Sequence, residues 1–256
     1  MKKSFFVLVF TLVLFTACNT ELKLARQFVD EYQHVPVAVY FPEAADVKVE
    51  YNTQLGQQTE VLNHFSADLF LDLMYAAYAE EMRNYSLDVY VPENPDNVQV
   101  DSVHWLVMLS RVEITGRIME YVDYLFDGAY EDYSHRYPLN VVNVASWFEM
   151  NDSIWKPVLF HELNLMDGFK SNVDESVWSF QYDYTIDTLE TADVYNFAVY
   201  LGKLYAPYTF DYMMNSHIGA VFYRRYGYLP SVYVRYDPYK RQYRYAVEED
   251  KFVEIE

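Results

Sequence analysis

Apolar residues along this chain change their spacing repeatedly, and each change marks an element. After Lys2 and Lys3, an unbroken apolar run over residues 5–17 has the layout of a secretory leader. It stops at Cys18-Asn19-Thr20-Glu21, short of the roughly 20 apolar residues a membrane-spanning helix needs. Residues 18–34 read as a tether. Residues 37–41 and 47–51 then read as two strands flanking a turn with Pro42, either a hairpin or neighbours. Leu62, Phe65, Leu69, Leu73 and Ala76 or Ala77 recur at helical spacing, which predicts an amphipathic helix over 60–83 lying on a sheet. A short strand over 86–91 ends in the turn cluster 92–97, rich in Pro and Asn.

The middle of the chain is strand-like. Residues 105–109 are apolar on both faces and 111–115 alternate, as expected of a long strand buried centrally and wet at one end. Residues 140–148 and 155–165 should pair antiparallel. In 178–187, Trp178, Phe180, Tyr182, Tyr184 and Ile186 alternate with polar residues, predicting one core face and one wet face. From Thr191 the helical period returns, with Pro207 as a terminator and a second helix over 210–226 closed by Gly227, a helical hairpin. Residues 232–236 and 243–247 predict a terminal β-hairpin. The expected fold class is α/β (α+β): a mixed, mainly antiparallel sheet with a long helix packed on it, then the helical hairpin and the β-hairpin. A domain over 35–190 would carry residues 191–256 packed against it.

Composition narrows the function classes. Apolar residues make up 52% and charged residues 22%, with 7 Gly and 9 Pro, so the chain folds. Against 38 acidic residues stand 19 Lys and Arg, a formal charge of −19 that repels a phosphate backbone and excludes nucleic acid as a partner. The single cysteine, Cys18, follows Phe15-Thr16-Ala17. That segment resembles the lipobox of bacterial lipoproteins, with Phe15 where Leu is usual. The resemblance implies a Cys18 that carries acyl chains, palmitate among them, as the first mature residue. Acyl chains at about 0.8 kcal/mol per buried CH₂ would hold the body on a membrane without a spanning helix. No acidic cluster follows the cysteine, which favours the periplasmic face of the outer membrane over the cell surface.

Candidate chemistry is sparse. His161-Glu162 sits in a strand with no second imidazole at helical spacing, so it is not a zinc motif, and His161 is expected as a buried, hydrogen-bonded core residue. His34, His64, His104, His135 and His217 lack ligand spacing; no metal and no cofactor are expected. Asp183 and Asp187 share a strand face without a defined cleft, and no serine elbow, P-loop or dinucleotide glycine pattern is present, so no catalytic residue is assigned. The excess that does stand out is Tyr. Over 220–246, Arg224, Arg225, Arg235, Lys240, Arg241 and Arg244 oppose one acid, Asp237, and interleave with Tyr233, Tyr236, Tyr239 and Tyr243. Residues 43–132 hold 18 acids and four bases. This basic tail either docks on the acidic body or forms a recognition surface, since Tyr and Arg dominate binding hot spots.

The order of these elements carries a wider likeness. The lipobox, VPVAVYFPEAADVKVEYNT, VDSVHWLVMLSRVEITG, SIWKPVLFHELNLMDG and VYNFAVYLGKLYAPYTF resemble a family of uncharacterised envelope lipoproteins from Bacteroidetes. The strand–helix–strands order is similar to the amino-terminal domain of the Tol translocation protein B and to transport-auxiliary lipoproteins, a likeness of fold alone. Two functions follow as expectations. The first is a non-catalytic envelope lipoprotein that binds a protein partner or assists assembly. The second is a module that binds a glycan or small ligand. A flat apolar patch or open sheet edge would favour the first, and an aromatic platform in a concave site the second.

Overall fold

A computed structural model describes residues 20–43, 47–52, 59–94, 98, 105–127, 131–151, 157–176, 179–246 and 251–255. Residues 1–17, expected as a leader, and Cys18, His104, Trp178 and Val247 lie outside the described residues. In chain order the elements are α1 (20–31), β1 (Pro36–Tyr40), β2 (Val47–Asn52), α2 (Ala67–Asn84), β3 (Asp88–Tyr90), β4 (Trp105–Asp127), β5 (Glu131–Asn151), β6 (Val158–Met166), β7 (Gly168–Ser176), β8 (Ser179–Asp187), α3 (Thr191–Tyr226), β9 (Val234–Asp237), β10 (Gln242–Tyr245) and β11 (Val253–Ile255). The expected mixed, mainly antiparallel α/β class is what forms.

The spine is the antiparallel pair β4–β5, in register from Leu106 opposite Asn151 to Asp127 opposite Glu131. A register shift between Leu109 and Arg111 inserts Ser110, whose hydroxyl donates to the Trp147 carbonyl at 3.3 Å. This bulge reverses the alternation. Trp105, Val107 and Leu109 are buried before it, and Val112 and Ile114 after it. The opposite face after the bulge is polar: Arg111 pairs with Glu113 and lies 4.5 Å over the Trp147 ring, and Lys48 Nζ stands 3.5 Å from Glu113. Beyond β5 the sheet continues through β6 to β11, both antiparallel, and on the other side of β4 it continues through β1 to β3, both parallel.

Strands β1 and β2 do not pair with each other, as a hairpin would. Each runs parallel to β4, β1 beside Trp105–Met108 and β2 beside Val112–Arg117, so β4 is long enough to seat both end to end. Helix α2 starts at Ala67 rather than near residue 60, because Ser66 is the better cap: its Oγ accepts the Leu69 N–H at 3.3 Å and its own N–H donates to the Tyr195 hydroxyl. Among the described residues, strand β8 pairs only with β7, in a separate two-stranded sheet. Tyr184, expected on a core face, is largely exposed and rests its ring 4.5 Å from Tyr137.

Two corrections concern helices. The expected helical hairpin is one helix, α3, which runs through Pro207 to Tyr226 and ends at Gly227 in the left-handed conformation (φ 77°). A mid-helix proline costs about 3 kcal/mol through its missing N–H. Burial of Leu201, Tyr205 and Ala206 on one side of it and Phe210, Met213 and Met214 on the other outweighs that cost. Residues 20–31, read as tether, are helical, with Leu24, Ala25 and Phe28 buried and the Phe28 ring 4.3 Å from Tyr32 and 5.7 Å from Phe210.

Helices α2 and α3 cross at backbone contact. A Cβ on Gly202 would sit 2.3 Å from the Met74 carbonyl oxygen and 2.9 Å from the Tyr78 nitrogen. Gly202→Ala is therefore expected to lower unfolding free energy by about 1–3 kcal/mol despite the better helix propensity of alanine, measured by urea denaturation.

Candidate functional site

Two polar side chains one helical turn apart interrupt the apolar stretch of α3 and face the tail. Asn215 donates from Nδ2 to the Val234 carbonyl at 2.7 Å and accepts the Val234 N–H on Oδ1 at 2.9 Å. Asp211 accepts the Tyr236 N–H on Oδ1 and the Arg235 Nε–H on Oδ2, both at 3.0 Å. Helix side chains thus supply β9 with the hydrogen bonds a neighbouring strand would give. Asp211 is fully buried, and that burial pushes its carboxyl up to about 7, against the downward pull of the Tyr236 N–H and the Arg235 guanidinium. Arg235 also lies 5.4 Å over the Tyr208 ring. This latch fixes the β9–β10 hairpin, and a recess opens on either side.

The first recess is a groove of about 460 Å³ between the carboxyl-terminal half of α3 and residues 229–233. Its walls are mostly apolar: Tyr212, Gly219, Ala220, Tyr223, Leu229 and Val232, with Glu254 of β11 at one side. Tyr223 and Leu229 are 63% and 61% exposed, unusual for side chains of that size. Among the described residues β11 pairs only with β6, so its outer edge is open.

The second recess is a more polar cleft of about 360 Å³ where the ends of α1 and α2 meet the hairpin. Asp30 and Gln33 come from one side, Asn84, Tyr85 and Ser86 from another, and Tyr236, Arg241 and Tyr243 from the tail. The Tyr236 and Tyr243 rings lie 4.9 Å apart, and Tyr85 stands 6.3 Å from Tyr236. Burial raises the Tyr243 hydroxyl to about 12, so it stays a neutral donor. Arg26 sits 5.9 Å over the Tyr243 ring.

The ten tail residues singled out by composition do not form one surface. Arg235 belongs to the latch. Tyr239 is committed to the body, its hydroxyl donating to Glu81 at 2.8 Å and accepting from Asn84 Nδ2 at 2.7 Å. Lys240 stands 3.8 Å from Asp237, and Arg225 and Arg244 are exposed. Arg224 and Tyr233 line the groove, while Tyr236, Arg241 and Tyr243 line the cleft. Cys18 lies outside the described residues. Sequence reading missed Asp211 and Asn215; their i,i+4 spacing within an apolar helix was the available signal.

His161 departs from expectation in one respect. It is half-buried among Tyr205, Tyr208 and Phe252, with ring centroids 5.4, 5.5 and 6.4 Å away. Its Nδ1 is buried with no hydrogen-bond partner among the described residues, and burial pushes the imidazole pKa down. Asp183 and Asp187 stand exposed on β8.

No protein-family model matches the sequence, and no curated protein matches it. Among solved structures, the chain is similar to a protein described as a neuraminyllactose-binding hemagglutinin homolog from Helicobacter pylori. The identity is 7% and the TM-score 0.37, over 72% of this chain and 90% of that one. So distant a likeness carries neither fold nor function to this chain.

The latch makes two measurable predictions. Asp211→Ala, which strands a buried guanidinium, should cost about 3–5 kcal/mol in denaturant titration and speed proteolysis within residues 227–246. Because the folded carboxyl holds its proton at a pH where the unfolded one, with its ordinary value of 3.8, has lost it, the Asp211 contribution is full below about pH 4 and fades as pH approaches about 7. The stability advantage of the wild type over Asp211→Asn should shrink across that window.

Proposed function

We propose that the protein is a lipid-anchored envelope protein of the Bacteroidetes kind, held by Cys18 on the periplasmic face of the outer membrane, where it binds a partner protein without catalysis. The groove carries this reading. Large exposed apolar side chains gather at Tyr223, Leu229 and Val232 beside the open edge of β11. The occupant that fits both features is an extended segment of another envelope protein, which would add a strand to β11 and turn apolar side chains into the groove. No helix of the described residues is long and apolar enough to cross a membrane; the anchor in this reading is the lipid on Cys18. A second reading, a small-ligand or glycan module, is favoured by the concave Tyr/Arg cleft.

A photoreactive residue placed at Leu229 or Val232 should give one discrete adduct in cells, and a residue placed at exposed Asp187 should give none. The partner identified from that adduct, once purified, should bind the wild type at least tenfold more tightly than Leu229→Asp. Equal binding would remove the groove from the function. Cys18→Ala should move the protein from the membrane pellet to the soluble fraction; retention in the pellet would contradict lipid anchoring.

A further inference from the structure

We infer that the cleft between α1, α2 and the β9–β10 hairpin binds a small sugar that carries a carboxylate; this inference rests on the second reading above and names its ligand class. The cleft, about 360 Å³, falls within the range of small-molecule sites. Its composition matches the parts of such a ligand one by one. Tyr85, Tyr236 and Tyr243 line the cleft, and aromatic side chains are the ones on which the apolar C–H face of a pyranose packs. Asp30, Gln33 and Ser86 place a carboxylate, an amide and a hydroxyl around the rings, and among the described residues none of their side chains has a hydrogen-bond partner. Sugar hydroxyls, each donor and acceptor at once, would complete them.

The charge pattern selects the acid. In a chain of formal charge −19, most cations are expected to be neutralised. Arg235 is, through Asp211, and Lys240 is close to Asp237. Arg241 lines the cleft with no ion pair or hydrogen bond among the described residues, and Arg26 adds a second guanidinium over Tyr243. Asp30 is the one carboxylate lining the cleft. Arg241 is thus a guanidinium in the lining that is not committed to another element, and a planar guanidinium meets a carboxylate through two parallel hydrogen bonds.

The backbone holds this arrangement under strain. Among the described residues, the non-glycine positions with positive φ are His34 (61°), Ser86 (60°) and Arg241 (50°). Ser86 and Arg241 line the cleft, and His34, next to the lining residue Gln33, donates its N–H to the Ser86 carbonyl at 2.7 Å. Such conformations cost of order 1–3 kcal/mol each and persist where the surroundings impose them, often at ligand sites.

Isothermal titration of the purified chain with D-glucuronate, D-glucose and acetate tests the inference. Glucuronate should bind, glucose at least tenfold more weakly, and acetate without detectable heat. Arg241→Gln, checked for an unchanged circular dichroism spectrum, should weaken glucuronate at least tenfold and leave glucose as it was; Tyr243→Leu should weaken both. Equal affinity for glucuronate and glucose would overturn the selectivity for an acid while the sugar-binding reading stood. No binding of either sugar would overturn both, and an Arg241→Gln chain that keeps wild-type affinity for glucuronate would also overturn the inference.

Discussion

The outer architecture of this protein depends on a helix acting as the edge of a sheet. A two-stranded hairpin is marginal alone in water, and among the described residues β9–β10 joins neither of the other sheets. It is held because Asp211 and Asn215 present, at helical spacing, acceptors and a donor that the backbone of β9 would otherwise seek in a strand. The guanidinium of Arg235 completes the carboxylate, and the Tyr208 ring lies beneath it. Both recesses are by-products of this docking: a hairpin standing on a helix by two side chains leaves space on each flank.

The same helix resolves a conflict between local and tertiary preference. Pro207 argues for a break, and isolated helical segments are weak in water. The buried residues on both sides of the proline make the unbroken helix the state that hides most apolar surface. Gly202, one turn earlier, lets α2 approach closely enough for that burial to be continuous. Together they set α3 as the plank on which both the sheet side and the tail side are mounted.

Much of this was legible in residue order. Alternation at 111–115 and 140–148 declared the central strands, Gly227 the end of α3, and the Asp237–Arg241 stretch the terminal hairpin. The pairing of β1 and β2 with β4 was not legible, since periodicity says that a strand exists and not which neighbour takes it. The helix at 20–31 was overlooked because the apolar positions Leu24, Ala25 and Phe28 stood beside a lipidation signal that suggested slack chain. At the site, composition pointed to the tail but could not sort its cations. Whether a guanidinium is spent inside, as in Arg235, or offered outward, as in Arg241, depends on a carboxylate in a different element.

The nearness of α1 to Cys18 has a mechanical consequence. The chain is already helical at Thr20, the first described residue, two positions after Cys18, and the next turns are wedged into the core. Two residues span at most about 7 Å. If Cys18 is acylated as proposed, so short a leash would keep the globule against the headgroups, and only molecules that come that close to the lipid surface would meet it.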